Sequence, residues 1–165
     1  MGMIPLGVVG MRKLTVILAL ISGFAHPATA APLSSIAMMN GRCTGLMFGG
    51  KDGSRVCGPK VVNTVYRDGR TGFTFVVGDI AVVTFSGSAS QVKDTADIAT
   101  QPLDKVIFTL TGTGTPPNAL KAAGVCTFSN PYAGVSTIDC TAHTSSGIFR
   151  ASFVSDGKEP SIQEF

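Results

Sequence analysis

Cys43 and Cys57 stand 14 residues apart, and so do Cys126 and Cys140. Each pair is centred on a turn-like stretch, Gly49-Gly50-Lys51-Asp52-Gly53 for the first and Asn130-Pro131-Tyr132-Ala133-Gly134 for the second. In a β-hairpin, residues equidistant from the turn face each other across the ladder, close enough for a disulfide at a non-hydrogen-bonded pair. Four cysteines allow three pairings, and the symmetry selects Cys43–Cys57 and Cys126–Cys140. Each bond closes a loop of about 15 residues, worth on the order of 3 kcal/mol in the chain-entropy model. A four-cysteine zinc site would need close Cys-x-x-Cys pairs, which this chain lacks, so no metal is expected. The two bonds should differ. Val125–Phe128 and Ile138–Thr141 have good strand character, which places the second bond in a buried ladder. Cys57 precedes Gly58-Pro59, and proline cannot donate to a ladder, so the first bond is expected nearer a sheet edge and easier to reduce.

An even set of cysteines fits an oxidising compartment, and the start of the chain points the same way. Met11-Arg12-Lys13 is a short positive segment, Leu14 to Phe24 is almost wholly apolar, and Ala28-Thr29-Ala30 offers small residues for cleavage. That order reads as a secretory signal peptide over residues 1–30, with Met11 as a well-proportioned alternative start to Met1 or Met3. Its apolar run is short of the ~20 residues a membrane span needs. The expectation is a mature protein in the periplasm or outside the cell. Of the 13 Lys and Arg residues, Arg12 and Lys13 leave with the leader. The remaining 135 residues then carry 11 basic and 10 acidic groups, a net charge of +1. A balance that close to zero supplies no footprint for nucleic acid and no steering towards an anionic membrane.

From Arg42 onward, short runs rich in Val, Phe, Thr and Ile are cut by glycine-containing turns. Val61–Arg67 and Thr71–Val77 flank Asp68-Gly69, which predicts a two-residue hairpin turn with Val62 opposite Phe75. Ile80–Ser86 adds a third strand, residues 87–103 read as a loop, and Lys105–Thr111 returns to strand. Gly124–Ser129, Ser136–Ala142 and Gly147–Val154 form a second meander. No stretch from 31 to 165 sustains a 3.6-residue period. The expected fold is all-β: one compact antiparallel meander of about eight or nine short strands over residues 42–165, a barrel or a sandwich. Residues 31–41 read as a lead-in.

The residues that carry chemistry elsewhere have plainer explanations here. After the leader there is one histidine, His143, and the only glutamates are Glu159 and Glu164 in the tail. In a strand, Asp139 and His143 share a face but lie about 13 Å apart, and the neighbouring Ser145 and Ser146 do not make a triad by adjacency. Asp52, Asp68 and Asp79 sit beside turn glycines, where aspartate favours the bend. Arg67 and Arg70 flank a hairpin tip and read as solubilising. Gly112-Thr113-Gly114 lacks the rest of a phosphate loop. Met38, Met39 and Met47 have no histidine company or regular spacing for copper and read as core filler. No catalytic residue and no cofactor is expected.

Cys57-Gly-Pro, Tyr66, Gly69-Arg70, Phe73-Thr-Phe75, Phe85-Ser-Gly87, Gly124-Val-Cys126, Ile138-Asp-Cys140-Thr-Ala142, Phe149, Phe153 and Asp156-Gly157 together set a recognisable cadence. Over most of residues 42–160 it resembles small exported proteins of Gram-negative bacteria, a group without an assigned activity, so the resemblance implies no chemistry. The first functional reading is a non-catalytic exported β-domain that binds a protein or an envelope component. The alternative is a carrier holding a small apolar ligand inside a barrel of about eight strands. An enzyme comes third.

Overall fold

The computed structural model describes residues 31–95 and 97–165. The expected leader, residues 1–30, lies outside them. Eleven strands follow in chain order: β1 (Leu33–Phe48), β2 (Lys51–Asp52), β3 (Cys57–Tyr66), β4 (Arg70–Val77), β5 (Ala81–Ser88), β6 (Lys93–Asp94), β7 (Ile98–Leu110), β8 (Asn118–Ser129), β9 (Thr137–Thr144), β10 (Gly147–Ser155) and β11 (Ser161–Glu164). Eight of them form one antiparallel circuit in the order β1-β3-β4-β5-β7-β8-β9-β10, and β10 pairs back onto β1. The all-β expectation therefore resolves to a closed up-and-down barrel, the arrangement that leaves a meander without free edges.

Alternation along the strands turns apolar residues inward. Phe75, Phe85 and Phe153, with Val61, Val83 and Val106, are at most 1% exposed and fill the middle of the barrel. Phe75 and Phe85 meet edge to face with ring centroids 5.7 Å apart. Where β5 passes β7, a Cβ on Gly87 would collide with the Pro102 carbonyl oxygen, a close approach that only glycine permits.

Both disulfides form as the spacing implies. Cys126 lies directly opposite Cys140 in the β8–β9 ladder, 4.0 Å between Cα atoms, and both are buried. Cys43 and Cys57 continue the β1–β3 register of Met39↔Val61 and Asn40↔Lys60 beyond its last paired residues, with Cα atoms 5.8 Å apart. They are half-buried. The first bond thus staples a splay between two barrel strands, a place where the ladder lapses inside a closed sheet and not the sheet edge expected for it.

Three local expectations change. The β3–β4 connection is a three-residue loop, Arg67-Asp68-Gly69, closed by Gly69 N–H to the Tyr66 carbonyl at 3.0 Å with Gly69 at φ +80°. A type I turn followed by a left-handed glycine is the usual three-residue solution. It shifts the register by one, so Val61 and not Val62 faces Phe75, and Val61 takes the interior place. The lead-in to Asn40 is the first half of the 16-residue β1. Of the expected loop 87–103, residues 98–103 belong to β7, Gly87-Ser88 to β5 and Lys93-Asp94 to β6.

The last difference lies at the seam. β10 pairs with Gly41–Met47 of β1, and β11 pairs with Ser35–Met38 of the same strand. Between Gly41↔Ser155 and Met38↔Ser161 β1 advances three residues while its partner advances six. β10 and β11 are accordingly one interrupted strand, with residues 156–160 looped out at one end of the barrel.

Candidate functional site

That end is where the barrel opens. It collects the β3–β4 hairpin, the segment after β5, the β8–β9 connection and the 156–160 loop. Inside them lies a cavity of about 270 Å³, near the low end of ligand-sized pockets. Its walls are Met39 from β1, Phe73 from β4, Phe128 from β8 and Ile138 from β9, with Pro131 and Tyr132 at the rim. Phe73 and Phe128 pack edge to face, 4.9 Å between centroids.

Besides the rim Tyr132, five polar side chains interrupt this surface: Asn63, Thr71, Gln101, Ser129 and Ser136. Ser129 Oγ accepts from the Thr137 N–H at 2.9 Å. Gln101, 1% exposed, donates from Nε2 to the Thr71 carbonyl at 3.2 Å. Asn63 Nδ2 donates to the Gly72 carbonyl at 3.1 Å and to Thr71 Oγ1 at 3.3 Å. These bonds hold both amides against the β4 backbone. Ser136 differs. Its main chain is locked: its N–H donates to Ser155 Oγ at 2.8 Å, and its carbonyl accepts from the Ser155 N–H at 2.8 Å. Its hydroxyl, in a residue 1% exposed, finds no hydrogen-bond partner among the described residues. A buried hydroxyl left in that state costs roughly 1–3 kcal/mol.

The connection that carries Ser136 is well determined locally. Asn130 Oδ1 accepts from the Tyr132 N–H at 2.9 Å and caps a single 3₁₀ turn over Pro131–Ala133. That turn presents Tyr132 at the rim, and Gly134 at φ +105° then reverses the chain into β9. No charged side chain lines the cavity among the described residues. An adjoining hollow shares the Phe128, Pro131 and Tyr132 wall and carries Asp94 and Asp97.

Of the residues weighed from sequence, the cysteines are structural. Cys126 stands directly opposite Gln101 in the β7–β8 ladder, so the second disulfide underlies the cavity wall. His143 and Asp139 lie exposed on the outer face of β9. Asp52 accepts from the Ser54 hydroxyl at 2.7 Å and the Ser54 N–H at 2.9 Å, and these bonds hold its carboxyl below the usual carboxylate range. Asp68 accepts from the Arg70 N–H, the turn role expected of it. Arg70 does more than solubilise a hairpin tip: it makes paired hydrogen bonds to Asp104 at 2.8 and 2.9 Å and reaches Ser86 Oγ at 3.0 Å. Arg67 donates to the Phe165 carbonyl at 3.1 Å. Met39 is core, whereas Met38 is exposed because alternate residues of a strand face opposite ways. Gly112-Thr113-Gly114 lies in an exposed connection.

Asn63, Gln101 and Ser136 went unmarked in the sequence because none belongs to a motif. The one available signal was alternation: Ala99, Gln101 and Leu103 share a strand face, with a polar residue at an inward position. Comparison with protein-family models, with curated proteins and with solved structures finds no match.

Proposed function

We propose that this protein is a binding protein for a small, largely apolar molecule, held in the open mouth of its barrel. The observation that supports this reading is the cavity itself, a concave recess of about 270 Å³ walled by Met39, Phe73, Phe128 and Ile138. An apolar cavity of about 150 Å³ accepts benzene, so this one has room for a molecule of one to two rings. Recognition through a recess inside the barrel is favoured over recognition of a protein or envelope component by the outer wall, because burial of a ligand's apolar surface drives its binding. Two disulfides support an oxidising compartment for the barrel. Export to the periplasm or beyond remains part of the proposal. Among the described residues no helix is long and apolar enough to cross a membrane.

Native mass spectrometry of the protein purified from its own host tests the reading. A carrier retains a non-covalent apolar mass at one equivalent per chain. Ala37→Phe, which places a ring among the lining residues, should abolish retention while the fold survives. A host-purified protein with no bound mass, indifferent to apolar solutes, would end this reading.

A further inference from the structure

We infer that the ligand carries one uncharged hydrogen-bonding group, an alcohol, carbonyl or amide, and that Ser136 Oγ is the atom that receives it. This inference rests on the carrier reading and deepens it. Two independent observations meet at this residue. The cavity is lined by Ser136, and the Ser136 hydroxyl is buried without a partner among the described residues while the rest of the residue is fully engaged with Ser155. The companion hydroxyl shows the contrast: Ser155 Oγ accepts from the N–H groups of both Ser136 and Gly157. A polar atom with its backbone fixed and its side chain unspent is preorganised for a ligand.

Charge decides the rest. No cation lines the cavity to neutralise an anion among the described residues. The adjoining hollow, across Phe128 and Tyr132, carries Asp94 and Asp97. An anionic head would therefore enter a neutral recess beside two carboxylates, and the desolvation of a charge there goes uncompensated. An ammonium head would be attracted by those carboxylates, but neither lines the cavity itself, so its charge would be desolvated without a contact partner. A hydroxyl, carbonyl or amide loses far less on entry and recovers it at Ser136, with the Gln101 amide on the same lining.

Three probes of one shape separate these possibilities: benzyl alcohol, ethylbenzene and benzoate, titrated by NMR into the intact disulfide-bonded protein and into Ser136→Ala. Benzylamine serves as the cationic control. The alanine variant removes a hydroxyl that bonds none of the described residues, so thermal unfolding should show it folded and at least as stable as the parent. The ratio of benzyl alcohol to ethylbenzene affinity should fall about five- to tenfold in Ser136→Ala, the loss of one hydrogen bond. Ethylbenzene binding itself should be unchanged. Benzoate and benzylamine should bind more weakly than benzyl alcohol at neutral pH. An unchanged ratio in the variant overturns the assignment of Ser136, and tighter binding of either charged probe overturns the uncharged head, with the carrier reading intact in both cases. If none of the four probes binds, the carrier reading falls and takes this inference with it.

Discussion

The two ends of the barrel each hold a hollow of about 270 Å³, yet they are built differently. At the mouth, six lining residues are buried: Met39, Thr71, Phe73, Gln101, Ser136 and Ile138. At the opposite end only Phe149 is buried, and Gly49, Lys51, Asn118 and Ser146 lie exposed around it. Phe48 stacks over Phe108 there at 6.3 Å and plugs the barrel from below. The lower hollow is a dimple on a plug, and the upper one is a recess in the interior. Volume does not distinguish a binding site from a surface dent. Buried polar groups do, because each must be either satisfied or reserved.

The comparison is broken most directly by emptying each end in turn. Phe149→Ala should cost about 3–5 kcal/mol, since the ring is 5% exposed and its removal leaves a void against the plug. Phe128→Ala should cost roughly half as much, because that ring is only half-buried and already borders open space. Urea unfolding at neutral pH measures both. Equal costs would mean that the mouth is as tightly packed as the base, and the distinction would collapse. An enlarged mouth should also admit a bulkier solute, whereas Phe149→Ala should not change which solutes bind.

The disulfides sharpen the same contrast at a somewhat smaller energy. Each closes a loop of the same length, so removing either pair as a double alanine variant should cost about 2–5 kcal/mol. Their kinetics should separate. Cys126 and Cys140 are buried inside the barrel, and a thiolate reaches them only after the β8–β9 ladder opens. Cys43 and Cys57 are half-buried where β1 and β3 diverge. Under a mild reductant, mass spectrometry of alkylated protein should show Cys43–Cys57 opening first by a clear margin. The reverse order would place the weaker region at β8–β9, beside the mouth.

Much of this organisation is local and legible in the sequence. The cysteine spacing marks both pairs because a hairpin is symmetric about its turn, and the alternation around Phe73 and Phe75 marks a core-facing strand. What escaped is non-local. Leu33–Asn40 has little pattern of its own, and its strand character comes from β3 on one side and β11 on the other. Gln101-Pro102 resembles a loop in sequence, but it is held in β7 by β8, with β5 closing over it at a glycine. The hairpin at Asp68-Gly69 shows how little separates two registers: one residue of loop length decides whether Val61 or Val62 enters the core. Ser136 belongs to no motif, and its importance exists only once Ser155 has taken up its backbone.

The smallest effect concerns how the open half is braced from outside. Arg70 on β4 reaches across β5 to Asp104 on β7, touching Ser86 on the way, so one guanidinium ties three strands beside the mouth. The hydrogen bond from Arg70 is the main cause that holds the Asp104 carboxyl below its ordinary 3.8, and the same pairing raises Arg70. The sign follows from which state binds the proton more readily. A lowered carboxylate value in the folded protein means that the unfolded chain protonates first as pH falls. The brace is therefore fully present above about pH 4–5 and is lost as pH drops through the folded value, below 3.8. Arg70, raised by the same pairing, stays charged throughout this range, so the titration of Asp104 alone sets the pH dependence. Asp104 is 54% exposed, so the stabilisation is discounted for solvent and salt to under about 1 kcal/mol. Asp104→Asn should lower the unfolding free energy by that amount at pH 7, less in high salt, and by nearly nothing towards pH 2. A deficit that stayed constant across that pH range would show that Asp104 supports the mouth by packing and not by charge.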